Sequence, residues 1–154
     1  ASLGVTPDLA LVNCGGGGLA AGISLGIGGV PLMVVEPDGY DDVTRSLANG
    51  AIEAVRNPGP TLCDALQTLI TCPLTFGILS DKRVRGVSVS EQAVMQAVAF
   101  AFAHLKLVVE PGGAVSLAAV LSGAVDVKGR TVVLTLSGGN VDAEIFARCL
   151  SEGG

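Results

Sequence analysis

With 154 residues, 49% of them hydrophobic and 15% charged, the chain is one domain's worth of globular protein, and disorder is excluded. A net charge of −5 with nine scattered Lys and Arg residues draws no basic stripe, so nucleic acid is not an expected partner. The mean hydropathy of +0.63 is high for a domain that covers its own surface, which implies apolar surface packed against a further segment.

Leu9–Asn13 (LALVN) is a short apolar run ending at a glycine cluster, the pattern of a buried parallel strand. Residues 19–27 read as a small-residue helix and residues 31–36 (PLMVVE) as a second buried strand, giving a β-loop-α-β unit. These elements fall in the longest uncharged run, residues 9–35, which is long enough to span a membrane. Gly15-Gly16-Gly17-Gly18, Gly28-Gly29 and Pro31 break that run into separate elements, so no membrane span is expected. No basic segment precedes an apolar one as in a signal peptide, and the reading is a soluble, cytoplasmic protein. Residues 41–49 form a short helix with acidic residues in its first turn and Gly50 as its C-cap. Between 51 and 75 the pattern weakens: Asn57-Pro58-Gly59-Pro60 is a turn and residues 63–71 a helical piece. A strand over residues 84–89 leads through Ser90, an N-cap, into a long helix. Val94, Val98, Ala101 and Leu105 line one buried face of it. A helix over residues 114–121, a strand over 131–136 (TVVLTL) and a helix over 142–150 complete the chain. Strands alternating with helices predict an α/β fold, a three-layer, doubly wound, mainly parallel sheet.

Cys14, Cys63, Cys72 and Cys149 show no C-x-x-C spacing and no nearby histidine, so they read as buried or half-buried thiols rather than a zinc site. His104, the single histidine, faces away from the apolar stripe of its helix and is not expected to be catalytic.

Ligands of doubly wound sheets sit beyond the carboxyl ends of the strands. Three such ends carry unusual loops: the glycine cluster, Glu36-Pro37-Asp38, and Ser137-Gly138-Gly139-Asn140. Four glycines between a strand and a helix let the backbone bend sharply and turn its N–H groups toward a phosphate. No Gly-Lys-Ser/Thr follows, so this is not a Walker loop, and the proline after Glu36 weakens a dinucleotide fingerprint beginning at Gly16-x-Gly18. A phosphate-binding loop and a turn of purely structural duty both remain open on these residues alone.

Four motifs in order carry a resemblance: Val12-Asn13-Cys14-Gly15-Gly16-Gly17-Gly18-Leu19-Ala20-Ala21-Gly22, Val35-Glu36-Pro37, residues 106–114 (KLVVEPGGA) and residues 136–142 (LSGGNVD). The chain resembles the fold type II (β-family) pyridoxal-phosphate (PLP) enzymes, in the branch of serine/threonine dehydratases and serine racemases, over essentially its whole length. The resemblance implies the tryptophan-synthase-β-like fold, with residues 1–154 as a single α/β segment, the C-terminal half of the PLP-binding large domain. It implies that backbone N–H groups of Gly15, Gly16, Gly17, Gly18 and Leu19 hold the PLP phosphate and that Ser137 hydrogen-bonds the pyridine nitrogen. A neutral hydroxyl partner does not enforce ring protonation, which favours elimination over prolonged carbanion chemistry. Glu36, Asp42 and the backbone oxygen of Tyr40 match a divalent-cation site whose hard oxygens suit Mg²⁺, Mn²⁺ or Ca²⁺. On the residues alone, Asp41 and Asp42 only favour a helix N-terminus. Glu110 matches the segment near the cofactor and is a candidate catalytic residue, the alternative being a solvated loop carboxylate; Asn140 shapes its turn. Asp64-Ala65-Leu66 departs from the Asp-Gly-Leu step of many relatives, which leaves the substrate subclass open.

A PLP enzyme needs a lysine to hold the cofactor and move protons. Lys82, Lys106 and Lys128 lie outside the family's lysine context, which belongs upstream. The expectation is a chain inactive by itself, partnered by a lysine-bearing N-terminal half, with a homodimer when intact and no regulatory domain. The implied reaction is dehydration and deamination of a β-hydroxy amino acid (threonine, serine or hydroxyaspartate) to a keto acid and ammonia. Amino-acid racemisation by the same groups is the alternative within the family. A non-catalytic Rossmann-type nucleotide-binding module and a purely structural subunit are the readings outside it.

Overall fold

The structure, a computed structural model, describes residues 4–154. Strand β1 (Leu9–Asn13) is wholly buried and pairs in parallel with β2 (Leu32–Pro37) on one side and the short β4 (Val132–Leu134) on the other. Strand β3 (Arg85–Val89) pairs with β2, so the sheet is fully parallel in the order β3-β2-β1-β4. Alternation along the strands sends Leu9 and Leu11 into one core and Ala10 and Val12 into another. A parallel strand with both faces covered must be apolar throughout, which is why LALVN reads as a continuous run. Helices α1 (Gly18–Gly26), α2 (Asp42–Asn49) and α3 (Pro73–Asp81) cover one face. Helices α4 (Glu91–Phe100), α5 (Pro111–Leu121) and α6 (Ala143–Glu152) cover the other. The three-layer α/β expectation holds.

The connection after β1 leaves toward the first face and the connection after β4 toward the second, so β1 and β4 flank the switch point of the sheet. Local signals account for several boundaries. Ser90 Oγ accepts the amide of Ala93 at 3.3 Å as the N-cap of α4, and Gly50 closes α2 at φ 73°.

Four expectations change. Residues 63–71 are not a helix: only Asp64–Leu66 makes a single 3₁₀ turn, because amides on either side are taken by side chains, Cys63 N donating to Thr61 Oγ1 at 3.1 Å and Thr71 N to Asp42 Oδ2 at 3.0 Å. A helix that the sequence pattern does not place, α3, follows that segment, begun by Pro73 in its first turn. Leu105 is 44% exposed, because α4 ends in a π-helical turn over Ala101–Leu105 that rotates it off the face of Val94 and Val98. Strand β4 is three residues rather than six: beyond it Thr135 Oγ1 accepts Asn13 N, and Ser137 N donates to Gly113 O, drawing the chain away from the sheet.

Candidate active site

Asn13, the last residue of β1, is 3% exposed and uses its whole side chain. Its Nδ2 donates to Gly113 O at 2.8 Å and to Ser137 Oγ at 3.0 Å, and its Oδ1 accepts Ser116 N at 2.9 Å. One amide therefore ties the end of β1 to the first turns of α5 and to the loop after β4. This is the switch-point crevice, where doubly wound sheets bind ligands.

The glycine loop leaves β1 directly after Asn13. Among the described residues no side chain caps α1, and no protein acceptor meets the amides of Gly15, Gly16 or Gly17. Unmet amides leading into the first turn of a helix are an arrangement that favours an anion. The glycines divide by role. A Cβ at Gly15 or Gly16 would press on Thr68 at 3.2–3.3 Å, and one at Gly17 (φ 84°) would meet Thr75 Cγ2 at 2.7 Å. Close packing against α3 thus requires glycine at 17, while Gly15 and Gly16 sit tightly against the segment after the 3₁₀ turn. A Cβ at Gly18 would meet nothing within 4 Å. Leu19 beside it is 52% exposed. The 3₁₀ turn also lies against α5, a Cβ on Gly112 falling 3.2 Å from Leu66 Cγ and 3.5 Å from Ala65 Cβ. Ala65 thus stands between the glycine loop and α5.

Glu110 precedes α5 and clasps the last loop: its N–H donates to Gly138 O at 3.2 Å and its Oε2 accepts Asn140 N at 3.0 Å. Gly138 has φ 76°, and a Cβ on it would fall on the Glu110 carboxylate. Asn140 itself is exposed and acts through its backbone.

The third loop follows β2. Glu36 is fully buried, and its oxygens accept Val43 N at 3.2 Å and Thr44 N at 2.7 Å, capping α2 from the strand end. Burial pushes its carboxyl up to about 8, with Asp42 adding to the rise and the Thr44 and Val43 hydrogen bonds opposing it. Asp42, 1% exposed, is also raised, by burial first. Neither carboxylate has a cationic partner among the described residues; Arg45 pairs with Asp41 and Glu53 instead, at 3.0 and 2.6 Å. Tyr40 is buried, its hydroxyl donating to Gly59 O at 2.8 Å, and its carbonyl accepts no hydrogen bond among the described residues. Two buried carboxylates and a free carbonyl are a hard oxygen set, which suits a divalent cation. Among the described residues no cluster of three or more His, Cys, Asp and Glu side chains is poised for a metal.

Thr71, which the sequence pattern did not single out, joins two of these corners. Its N–H donates to Asp42 Oδ2 and its Oγ1 donates to Gly16 O, both at 3.0 Å. Asn13 falls in the first motif of the sequence but carries no role there, its own signal being that of a polar residue closing an apolar strand. Cys14, Cys63 and Cys149 are buried, and burial pushes Cys63 up to about 12. Cys72 is exposed, its thiol lowered by the side-chain hydrogen bond with Thr75. His104 is exposed on the π-helical turn, its ring tilted by 42° to that of Phe100 with the centroids 4.5 Å apart. A cavity of about 450 Å³ lies at the opposite, amino ends of the strands, lined by Lys82, Arg83, Arg85 and Arg130 among others. The basic residues are thus less scattered than the sequence implied. Among the described residues no helix is long and apolar enough to cross a membrane.

Residues 1–138 match the family model of pyridoxal-phosphate dependent enzymes. The chain is 33% identical over 150 residues to the L-threonine ammonia-lyase of Thermotoga maritima, covering 95% of this chain and 37% of that protein. Serine racemase of Schizosaccharomyces pombe is 33% identical over 149 residues, covering 94% and 46%. Among solved structures, a threonine deaminase from T.th. has a TM-score of 0.84 at 41% identity, covering 92% of this chain and 53% of that one. Maize serine racemase has a TM-score of 0.81 at 29% identity, covering 94% and 46%. The chain spans about half or less of the length of these relatives. On this match and on loops converging at the switch point, the chain belongs to the family of pyridoxal-phosphate dependent enzymes.

Proposed function

We propose that this chain is the C-terminal half of the PLP-binding large domain of an ammonia-lyase acting on a β-hydroxy amino acid, releasing a keto acid and ammonia. The observation that carries the reading is the junction at Asn13, which sets the glycine loop and the Ser137 loop side by side at the switch point. The amides of Gly15, Gly16, Gly17, Gly18 and Leu19 would hold the cofactor phosphate, and Ser137 would meet the ring nitrogen. Bound there, PLP supplies a conjugated ring that takes up the electron pair released at Cα. Glu110 acts as a clasp: through the Gly138 and Asn140 contacts it fixes the loop that presents Ser137. Glu36, Asp42 and the Tyr40 carbonyl would hold Mg²⁺, Mn²⁺ or Ca²⁺, and the burial of both carboxyl groups without a cationic partner among the described residues supports that role.

A second segment bearing the lysine completes the site. In support, Lys82 lines the cavity at the opposite end of the strands, Lys106 Nζ turns back onto Ala103 O, and Lys128 sits before β4. The exposed Val133 on edge strand β4 offers a place for that segment to join the sheet. By the same reading the chain alone is inactive, the intact enzyme is a homodimer, and the free thiols suit a reducing cytoplasm. The identity with serine racemases favours racemisation as the second reading.

The test is a visible absorption spectrum of the chain with PLP, alone and mixed with the upstream segment of its gene product. A cofactor band only in the mixture, lost when the upstream lysine is replaced, supports the split site. Association of the two pieces without any band would sink it. Product analysis with serine and threonine then separates keto acid and ammonia from inverted amino acid.

A further inference from the structure

We infer that Asn13 is a positioning residue that fixes the Ser137 hydroxyl as a hydrogen-bond donor toward the cofactor's ring nitrogen. The inference rests on the PLP reading above. Its basis is the chemistry of the Asn13 contacts. Gly113 O can only accept and Ser116 N can only donate, so the two ends of the Asn13 amide are assigned without ambiguity. Its second Nδ2 proton then points at Ser137 Oγ, 3.0 Å away, and Ser137 has to accept it. A serine hydroxyl has one proton, and among the described residues nothing accepts that of Ser137. Accepting from Asn13 polarises the hydroxyl and strengthens it as a donor. A group in that state offers its proton to a lone pair, that is, to an unprotonated pyridine nitrogen; a pyridinium N–H could meet only its second lone pair and would leave that proton without an acceptor. The ring is thereby kept neutral, the state suited to elimination rather than to a long-lived carbanion.

Asn13 needs no contact with the cofactor for this, and its burial at 3% leaves it none with solvent. Its rigidity comes from the two backbone partners on α5, which hold the amide whether or not Ser137 is engaged.

The test uses the complete enzyme, this chain with its lysine-bearing segment, loaded with PLP labelled with ¹⁵N in the ring. In the unaltered protein the ring ¹⁵N resonance should sit at the unprotonated position across neutral pH. Asn13→Asp replaces the donor by an acceptor, so the Ser137 proton turns inward and its lone pair turns to the ring. The ring nitrogen should then titrate higher by about one pH unit or more, a tenfold change in protonated fraction. An Asn13→Asp enzyme that binds PLP and titrates like the unaltered one overturns the inference. Ser137→Ala separates the two levels of argument: if it too leaves the ring resonance unmoved, Ser137 does not face the ring and the cofactor reading itself fails. Should Asn13→Asp not fold, the Asn13 side-chain amide of the unaltered enzyme gives the answer. Its resonance should move on PLP loading and stay fixed in Ser137→Ala; a resonance indifferent to the cofactor overturns the inference.

Discussion

Gly113 and Ser137 are in backbone contact: Ser137 N donates to Gly113 O at 3.2 Å, and a Cβ on Gly113 would fall on the Ser137 carbonyl. The first turn of α5 therefore sets how far the Ser137 loop stands from Asn13. Gly113→Ala forces the loop outward, since the Ser137 atoms in its way are backbone and cannot swing aside. The expected cost is about 1–3 kcal/mol of stability from overpacking. A fall in PLP affinity should accompany it, because the Asn13–Ser137 hydrogen bond is stretched. Chemical unfolding and a PLP titration of the same variant check both, and unchanged PLP affinity would show that the loop's position is set elsewhere.

Gly17 and Gly18 are neighbours that should fail differently. Alanine at Gly17 meets Thr75 Cγ2 at 2.7 Å and a left-handed φ of 84°, so it should lower the unfolding free energy by about 1–3 kcal/mol. Alanine at Gly18 has open space and opens a helix, so it should leave stability within about 0.5 kcal/mol. If Gly18 approaches the cofactor phosphate, Gly18→Ala should nevertheless weaken PLP binding. A stable Gly18→Ala protein with unaltered PLP affinity would remove that residue from the cradle.

Thr71 links the cation corner to the glycine loop through Asp42 Oδ2 and Gly16 O. Thr71→Val keeps the backbone bond to Asp42 and deletes the bond to Gly16. A divalent cation is expected to raise PLP affinity in the unaltered enzyme and to lose much of that effect in the variant. One neutral hydrogen bond bounds the loss at about 1 kcal/mol, roughly fivefold in affinity. Calorimetric PLP titrations with Mg²⁺ and with chelator measure it. Equal enhancement in both proteins would mean that the two corners communicate by another route.

The layers and all four strands were legible because a two-sided parallel sheet forces long apolar runs such as LALVN and PLMVVE, and the glycines punctuate them. The stretch around Cys63–Thr71 was misread because Thr71 N serves Asp42 and Leu69 is paired to Val55, partners that no local pattern reveals. Helix α3 does carry a local signal, Pro73 ahead of an apolar run. Leu105 was misplaced because a helical period cannot anticipate a π-helical turn. In the site, the glycine loop, Glu36 and Ser137 stand out by residue type. Asn13 and Thr71 do not, because their importance lies in contacts over 29 to 124 residues of chain.

Glu36 supplies a pH test that also probes the cation. Its carboxyl titrates near 8 in the folded chain against an ordinary 4.5, burial being the main cause. Between those values the folded chain keeps a proton that the unfolded chain has lost. Its contribution to stability is therefore complete below pH 4.5 and declines as pH rises toward 8, by at most about 1.4 kcal/mol per pH unit. With chelator present, thermal unfolding of the unaltered protein should show this decline relative to Glu36→Gln, whose amide does not titrate. A divalent cation requires the ionised carboxylate, so added Mg²⁺ should stabilise the unaltered protein increasingly as pH rises and leave Glu36→Gln unchanged. If Mg²⁺ raises the melting temperature of both proteins equally, Glu36 is not a ligand and serves only to cap α2 through Val43 and Thr44.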